Sequence, residues 1–306
     1  MAAVSGGEQI ATEPGQPPAE PGRPRPPSPG DGQGTRRQRP VLLGISVSLV
    51  LLAVAVLGFL GYLFGASRVA EARAQSYLYA TLAGELRNEI GPLGPTTPGA
   101  PVALLSIPSI GVRHLVVVEG TTPENMTLGP GHLRDTPLPG QIGTSVLYGR
   151  RATFGAPFAR LGALLPGDKI NVITQQGAAS YTVAAIGDSQ HPVRDTALNR
   201  LVLLTANSSD VPAYFLEVDA DLSTHVNNGP VSLPAIGPAE AALAGDPSAL
   251  VMTMVWGLAL LGVSAGGAYA ASRWSAWPAY LAAAPAAIAV IWNLYENLAS
   301  LLPNLY

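Results

Sequence analysis

Two stretches, SVLYGRRATFG at Ser145–Gly155 and LVLLTANSSD at Leu201–Asp210, share one form: an apolar β-strand that stops in a small polar loop. Loops at strand ends are where a rigid scaffold displays reactive groups. Around them, short strand-like runs follow one another from Val102 to about Leu222: VALLSI, VRHLVVV, TSVLYG, KINVIT, ASYTVAAI, RLVLLTA and YFLEVDADL. Repeated strands with glycine and proline turns and little helix predict an all-β, closed barrel for residues 102–222. The chemistry is less obvious. The first loop offers Arg150 and Arg151 where an acid or base might be sought, and the second offers Ala206 and Asn207 where a nucleophile might be sought.

Outward from the barrel the chain changes character. Residues 41–64 carry no charge, and at 1.5 Å per residue they span roughly 36 Å as a helix, enough for a bilayer core of about 30 Å. Residues 1–40 are rich in proline and glycine and poor in large apolar residues, so they predict a disordered tail. Arg23, Arg25, Arg36, Arg37 and Arg39 all precede the span, which places this tail in the cytoplasm and the barrel outside by the positive-inside rule. ARA at Ala72–Ala74 has the form of a processing site, but the apolar run exceeds the roughly 7–15 residues of a cleaved signal. The span therefore reads as a signal anchor. Residues 65–101 follow as an amphipathic helix with Leu78, Leu82, Leu86 and Ile90 in one stripe, then a linker.

After the barrel, residues 223–248 read as a second linker, 249–271 and 277–298 as two further spans, and 299–306 as an outside end. Arg273 and two tryptophans dress the turn between the spans, as a cytoplasmic interface would be. Gly61 with Gly65, and Gly262 with Gly266, have the four-residue spacing that lets helices approach closely, within the chain or on a partner; chance pairs in apolar sequence are the other reading. Asn293, Glu296 and Asn297 fall on one face of the last span, either marking the outer interface or docking other spans or a partner's membrane anchor.

Composition removes several classes of function. Charged residues are only 12% of the chain and net charge is −3, with no basic face that would suit nucleic acid. Cysteine is absent, which removes disulfides, thiolate metal sites and a cysteine nucleophile together. No His/Asp/Glu group has metal-ligand spacing, so neither metal nor cofactor is expected. Arginine far outnumbers lysine among abundant alanine, glycine and proline, a usage associated with GC-rich bacterial genomes.

Five segments in one order, LLSIPSIGVRHLVVVEGTT from Leu104, LGPGHLRDTPLPGQIGTSVLYGRR from Leu128, APFARLGALLPGDKINVIT from Ala156, YTV from Tyr181 and LVLLTA from Leu201, resemble the sortase family, and within it the class E type of actinobacteria. The resemblance implies an eight-stranded barrel and a transpeptidase that cleaves a sorting signal on a secreted protein and joins it to a cell-wall amine. Such chemistry uses a cysteine thiolate as nucleophile, a histidine as proton donor and an arginine at the oxyanion. By the same resemblance these positions are Ala206, Arg150 and Phe215, so none of the three groups is present. A guanidinium holds its proton near neutrality, and an alanine has no nucleophilic atom. The groove around them is expected to include His132, Arg151, Thr205, Asn207, His191 and Arg194.

Fold and site are separable. The sequence therefore points to a membrane-anchored, non-catalytic sortase-like protein that binds a secreted or membrane-anchored envelope protein or peptide, or scaffolds an envelope complex. The competing reading is an active transpeptidase or protease of secreted proteins, with a substituted nucleophile or with alanine engineered in place of cysteine at 206. Thr205, Ser208 and Ser209 are the hydroxyls available to the former.

Overall fold

The computed structural model describes residues 49–50, 52–191, 193, 197–207, 214–229 and 232–306. The tail 1–40, the start of the first span at 41–48, and Arg194, Ser208 and Ser209 lie outside the described residues. Eight strands close into a barrel: β1 (Pro101–Ile107), β2 (Val112–Glu119), β3 (Gly131–His132), β4 (Thr144–Tyr148), β5 (Lys169–Thr174), β6 (Gly177–Asp188), β7 (Arg200–Ala206) and β8 (Phe215–Leu222). They are bonded around in the order β1-β2-β3-β4-β7-β8-β6-β5, and β5 returns to β1. Seven strands coincide with the apolar runs of the sequence. The eighth, β3, has two residues, too few for any alternation to register.

Burial explains the strand patterns. In β5, Ile170, Val172 and Thr174 point inward while Lys169, Asn171 and Ile173 point out, the alternation of a half-buried strand. β1 is apolar on both faces because both are covered. Ala103, Leu105 and Ile107 join Val117, Phe158 and Leu203 inside the barrel. Leu104, Val116 and Val118 face outward onto Leu78 and Leu82 of a helix laid against the wall. Each fully buried leucine or valine there contributes about 1.5–3 kcal/mol.

That helix, α1, runs Leu52–Arg87 and contains one π-helical turn, Tyr62–Ala66, before its outer section Ser67–Arg87. Leu86 packs at the edge of the same cluster, whereas Ile90 lies beyond the helix end and is exposed, so the expected stripe is one residue shorter than its spacing suggested. Gln75 secures the contact. Its amide nitrogen donates to Val116 O (3.0 Å) and Leu128 O (2.8 Å), and its oxygen accepts from Val116 N (2.8 Å). It thereby satisfies a stretch of β2 that the short β3 does not reach, and an unpaired strand edge is removed.

Two further helices, α2 (Ala249–Arg273) and α3 (Ala276–Ser300), form a packed hairpin, and all three helices are long and apolar enough to cross a membrane. The close approaches use other glycines than the spaced pairs. Gly267 faces Ala283, and Gly58 faces the Tyr295 hydroxyl, while a Cβ at Gly61, Gly65, Gly262 or Gly266 would meet nothing within 4 Å.

The segment 223–248, expected to be a loose linker, is fastened to the barrel. Glu240, in the 3-10 turn Pro238–Glu240, is buried and accepts two bonds from the Arg134 guanidinium (2.8 and 3.1 Å), and its carbonyl accepts from Thr121 Oγ1 (2.8 Å). A bidentate pair with one partner buried is among the stronger ionic contacts.

Burial also pushes the phenols of Tyr148 and Tyr181 up from 10.0 to about 12. Both folded-state values lie above the unfolded value, so their stabilisation is complete below pH 10 and is lost as pH rises towards 12. Thermal melting followed by near-UV circular dichroism is expected to fall through this window, and Tyr148→Phe, which removes one titrating group, is expected to flatten the fall.

Candidate functional site

β4 and β7 are parallel neighbours, with Tyr148 level with Leu204, and β7 pairs antiparallel with β8, with Ala206 level with Phe215. Parallel pairing carries the ends of β4 and β7 to the same edge. Arg150, Ala206 and Phe215 consequently converge there from three adjacent strands. Gly149 N donates to Leu204 O (2.9 Å) and Thr205 Oγ1 donates to Gly149 O (2.8 Å), which locks the two strand ends together. Gly149 has to be glycine, because a Cβ would overlap the Phe158 ring.

Arg150 is fully buried, the largest side chain to be so. Its Nε donates to Met126 O (3.1 Å), Nη2 to Pro123 O (2.8 Å) and Nη1 to Thr153 Oγ1 (3.2 Å), and its Cζ lies 4.8 Å from the centroid of Phe154. Two carbonyls, a hydroxyl and a ring face satisfy the fork where a carboxylate usually would. Burial lowers its pKa to about 10, which leaves it charged at neutral pH. The charge is therefore committed to the loop Pro123–Met126 and offers neither acid nor base to the cleft.

Ala206 is also fully buried, and what covers it comes from far along the chain. Leu305 packs with Ala206, Tyr148, Val202, Leu204 and Met126, with Phe215 at the margin. Arg151 N donates to Leu305 O (3.0 Å), and Thr153 donates to Tyr306 O through both its N (3.3 Å) and its Oγ1 (2.9 Å). Asn304 is held as firmly, its amide donating to Thr121 O (2.8 Å) and Ala241 O (2.9 Å). The Arg151 guanidinium reaches Ala206 O (3.3 Å).

The other expected groove residues have separate tasks. Thr205 is fully buried and spends its proton on Gly149 O. Asn207 opens the β7–β8 turn, exchanging bonds with Tyr214 (2.9 and 3.2 Å). His132 is 2% exposed, inside the wall. Its Nε2 lies 3.1 Å from Pro137 O and 3.2 Å from Thr136 Oγ1, and its Nδ1 lies 3.2 Å from Glu119 Oε2. His191 sits on an exposed turn where Asp188 Oδ1 accepts from its N (2.7 Å) and pairs with its ring (3.3 Å). His132 and His191 thus belong to two places, neither of them the edge at Ala206.

On α3, Asn293 and Asn297 donate to main-chain carbonyls one turn back (2.8 Å each), and Glu296 accepts from Trp292 Nε1 (2.7 Å). Glu296 and Asn297 line a cavity of about 820 Å³ together with Tyr62, Phe154, Asp246 and Met252. Asn293 is not among the residues that line this cavity.

Truncation of the buried fork is expected to be costly. Arg150→Ala leaves Pro123 O and Met126 O without donors and should lower stability by about 3 kcal/mol, read from denaturant or thermal unfolding. Arg150→Lys should recover little of it, because an ammonium lacks the planar fork that spans both carbonyls.

Residues 105–209 match the family model described as Sortase domain. Over 85 residues the chain is 34% identical to Sortase D of Bacillus subtilis (strain 168), a match that covers 28% of this chain and 41% of that protein. Among solved structures, a Clostridium perfringens Sortase D5 transpeptidase is 21% identical with a TM-score of 0.43, covering 50% of this chain and 99% of its own. Sortase E from Streptomyces avermitilis is 28% identical with a TM-score of 0.36, covering 42% and 91%. Over residues 105–209 the chain is thus similar to sortases, and it spans less than half the length of the Bacillus subtilis relative.

Proposed function

We propose that this chain is a membrane-anchored, class E-like sortase relative that lacks the catalytic cysteine, histidine and arginine and works by association: it binds or scaffolds a secreted or membrane-anchored protein of the bacterial envelope. The observation that carries this reading is the edge formed by β4, β7 and β8. The three positions that the family resemblance assigns to catalysis meet there, and they hold a buried guanidinium tied to carbonyls, a methyl group and a phenyl ring. A transpeptidation cycle needs an atom that attacks, a group that protonates the leaving amine and a donor for the oxyanion. Thr205, the neighbouring residue with a hydroxyl, is fully buried and already donating.

Association suits the rest of the molecule. Three helices can hold the barrel at the bilayer, and the unoccupied glycine faces at Gly61, Gly65, Gly262 and Gly266 are smooth enough for a partner's helix. The arginines before the first span favour a cytoplasmic tail and an extracytoplasmic barrel.

Two measurements test this. Incubation of the full chain in detergent with a library of secreted-protein peptides and an amine acceptor is expected to yield neither cleavage nor transfer; turnover that survives Thr205→Val but is abolished by other cleft substitutions would establish the active alternative. Reporter fusions at residue 20 and near Arg273 are expected on the cytoplasmic side, and those near residue 150 and at Tyr306 outside. A cytoplasmic barrel would end the envelope assignment.

A further inference from the structure

The cleft is filled from within. Helix α3 stops at Ser300, and Pro303 follows three residues on, disfavouring helical geometry at Leu302. Of residues 301–306 only Asn304 and Leu305 are buried, both completely, while their neighbours stay partly exposed. This is how a short bound peptide engages a groove: two side chains enter and the remainder lies along the rim. The receiving groups form a complete set. Arg151 N and Thr153 N and Oγ1 read successive carbonyls of the incoming chain. Tyr148, Val202, Leu204 and Ala206 enclose one apolar side chain. The carbonyls of Thr121 and Ala241 read one carboxamide. Main-chain bonds of this kind fit any extended segment, and the pockets supply selectivity.

We propose that residues Leu302–Tyr306 are a tethered internal ligand that keeps the cleft shut, and that the same groove accepts an extended peptide of matching chemistry, carboxamide followed by a branched apolar side chain, when the tether is withdrawn. This deepens the association reading by naming the class of segment the site takes. Two features favour a displaceable ligand over a permanent piece of core. Asn304 Oδ1 is buried without a hydrogen-bond partner among the described residues, so the seat is imperfectly matched. The barrel's main cluster, around Leu105, Phe158 and Leu203, contains no residue beyond Ala220, so its packing does not depend on Leu305.

The tether also joins the cleft to the helices. Leu302 borders a cluster of Tyr62, Leu63, Phe154 and Ala299, with Tyr295 beside it, so a shift of α3 relative to α1 pulls on the seated residues. Occupation of the cleft and the arrangement of the helices are thus one equilibrium, and a partner that binds one end biases the other.

The experiment uses the full chain in detergent with Ala206→Cys as a reporter and measures its reaction with a maleimide. With the tether intact, labelling is expected to be on the order of a hundredfold slower than at an exposed control cysteine, because it waits for local opening. Adding Asn304→Ala and Leu305→Ser should raise the rate by roughly tenfold or more, and the synthetic peptide Leu-Pro-Asn-Leu-Tyr should slow it again at millimolar concentration, whereas Leu305→Met should leave labelling slow. Fast labelling with the tether intact, or slow labelling after its disruption, would overturn the proposal. Loss of the barrel's near-UV signal in the disrupted variant would also overturn it, by making these residues structural. Cleavage of the added peptide would sink the non-catalytic reading while leaving the tether in place.

Discussion

Parallel pairing of β4 with β7 is the constraint on which the molecule turns. Parallel neighbours cannot be joined by a tight turn, so the chain must travel back past the barrel between them. It uses the journey to build the whole of β5 and β6, and returns to lay β7 beside β4. The ends of both strands then lie at one edge, and the loop after β4 sits over the end of β7. Everything at the candidate site, from the Gly149–Leu204 bond to the convergence of Arg150, Ala206 and Phe215, follows from that return.

Polar groups at this edge are spent on architecture. A buried guanidinium is expensive unless its donors are used, and Arg150 uses its nitrogens on Pro123, Met126 and Thr153, so that one side chain holds two loops. Thr153 relays the arrangement by accepting from Arg150 and donating to Tyr306 O. The buried Glu119–His132 pair does similar work on the opposite flank of β4, linking β2, β3 and the turn at Pro137.

The barrel was largely legible because strands covered on one or both faces announce themselves by apolar runs, as KINVIT and VALLSI do. The spans were legible for the same reason, since length without charge is the whole signal. β3 was not, because two residues carry no period. Residues 223–248 look loose in composition, yet a single buried carboxylate, Glu240, fastens them, and nothing local distinguishes it from other exposed acids in a polar stretch. Arg150, Ala206 and Phe215 stand at the ends of strands whose apolar runs were readable, so their meeting follows from strand pairing. Leu305 could not be placed so: a leucine two residues after a proline has no pattern to mark it, and its partners lie about a hundred or more residues away. Long-range contacts made by isolated residues are invisible to periodicity, and here they decide what the cleft contains.

Attachment at two points has a mechanical consequence. The barrel is gripped by α1 along β1 and β2, where Gln75 and three leucines meet its wall, and again beyond α3, where Asn304 and Leu305 enter the edge of β4 and β7. A domain on one flexible stalk sweeps a hemisphere and finds targets by searching. One held at two points moves less, and here the outer section of α1, 21 residues and roughly 32 Å long, supplies the first hold. Release of Asn304 and Leu305 would leave only that hold, so the seated and released states differ in how freely the barrel moves.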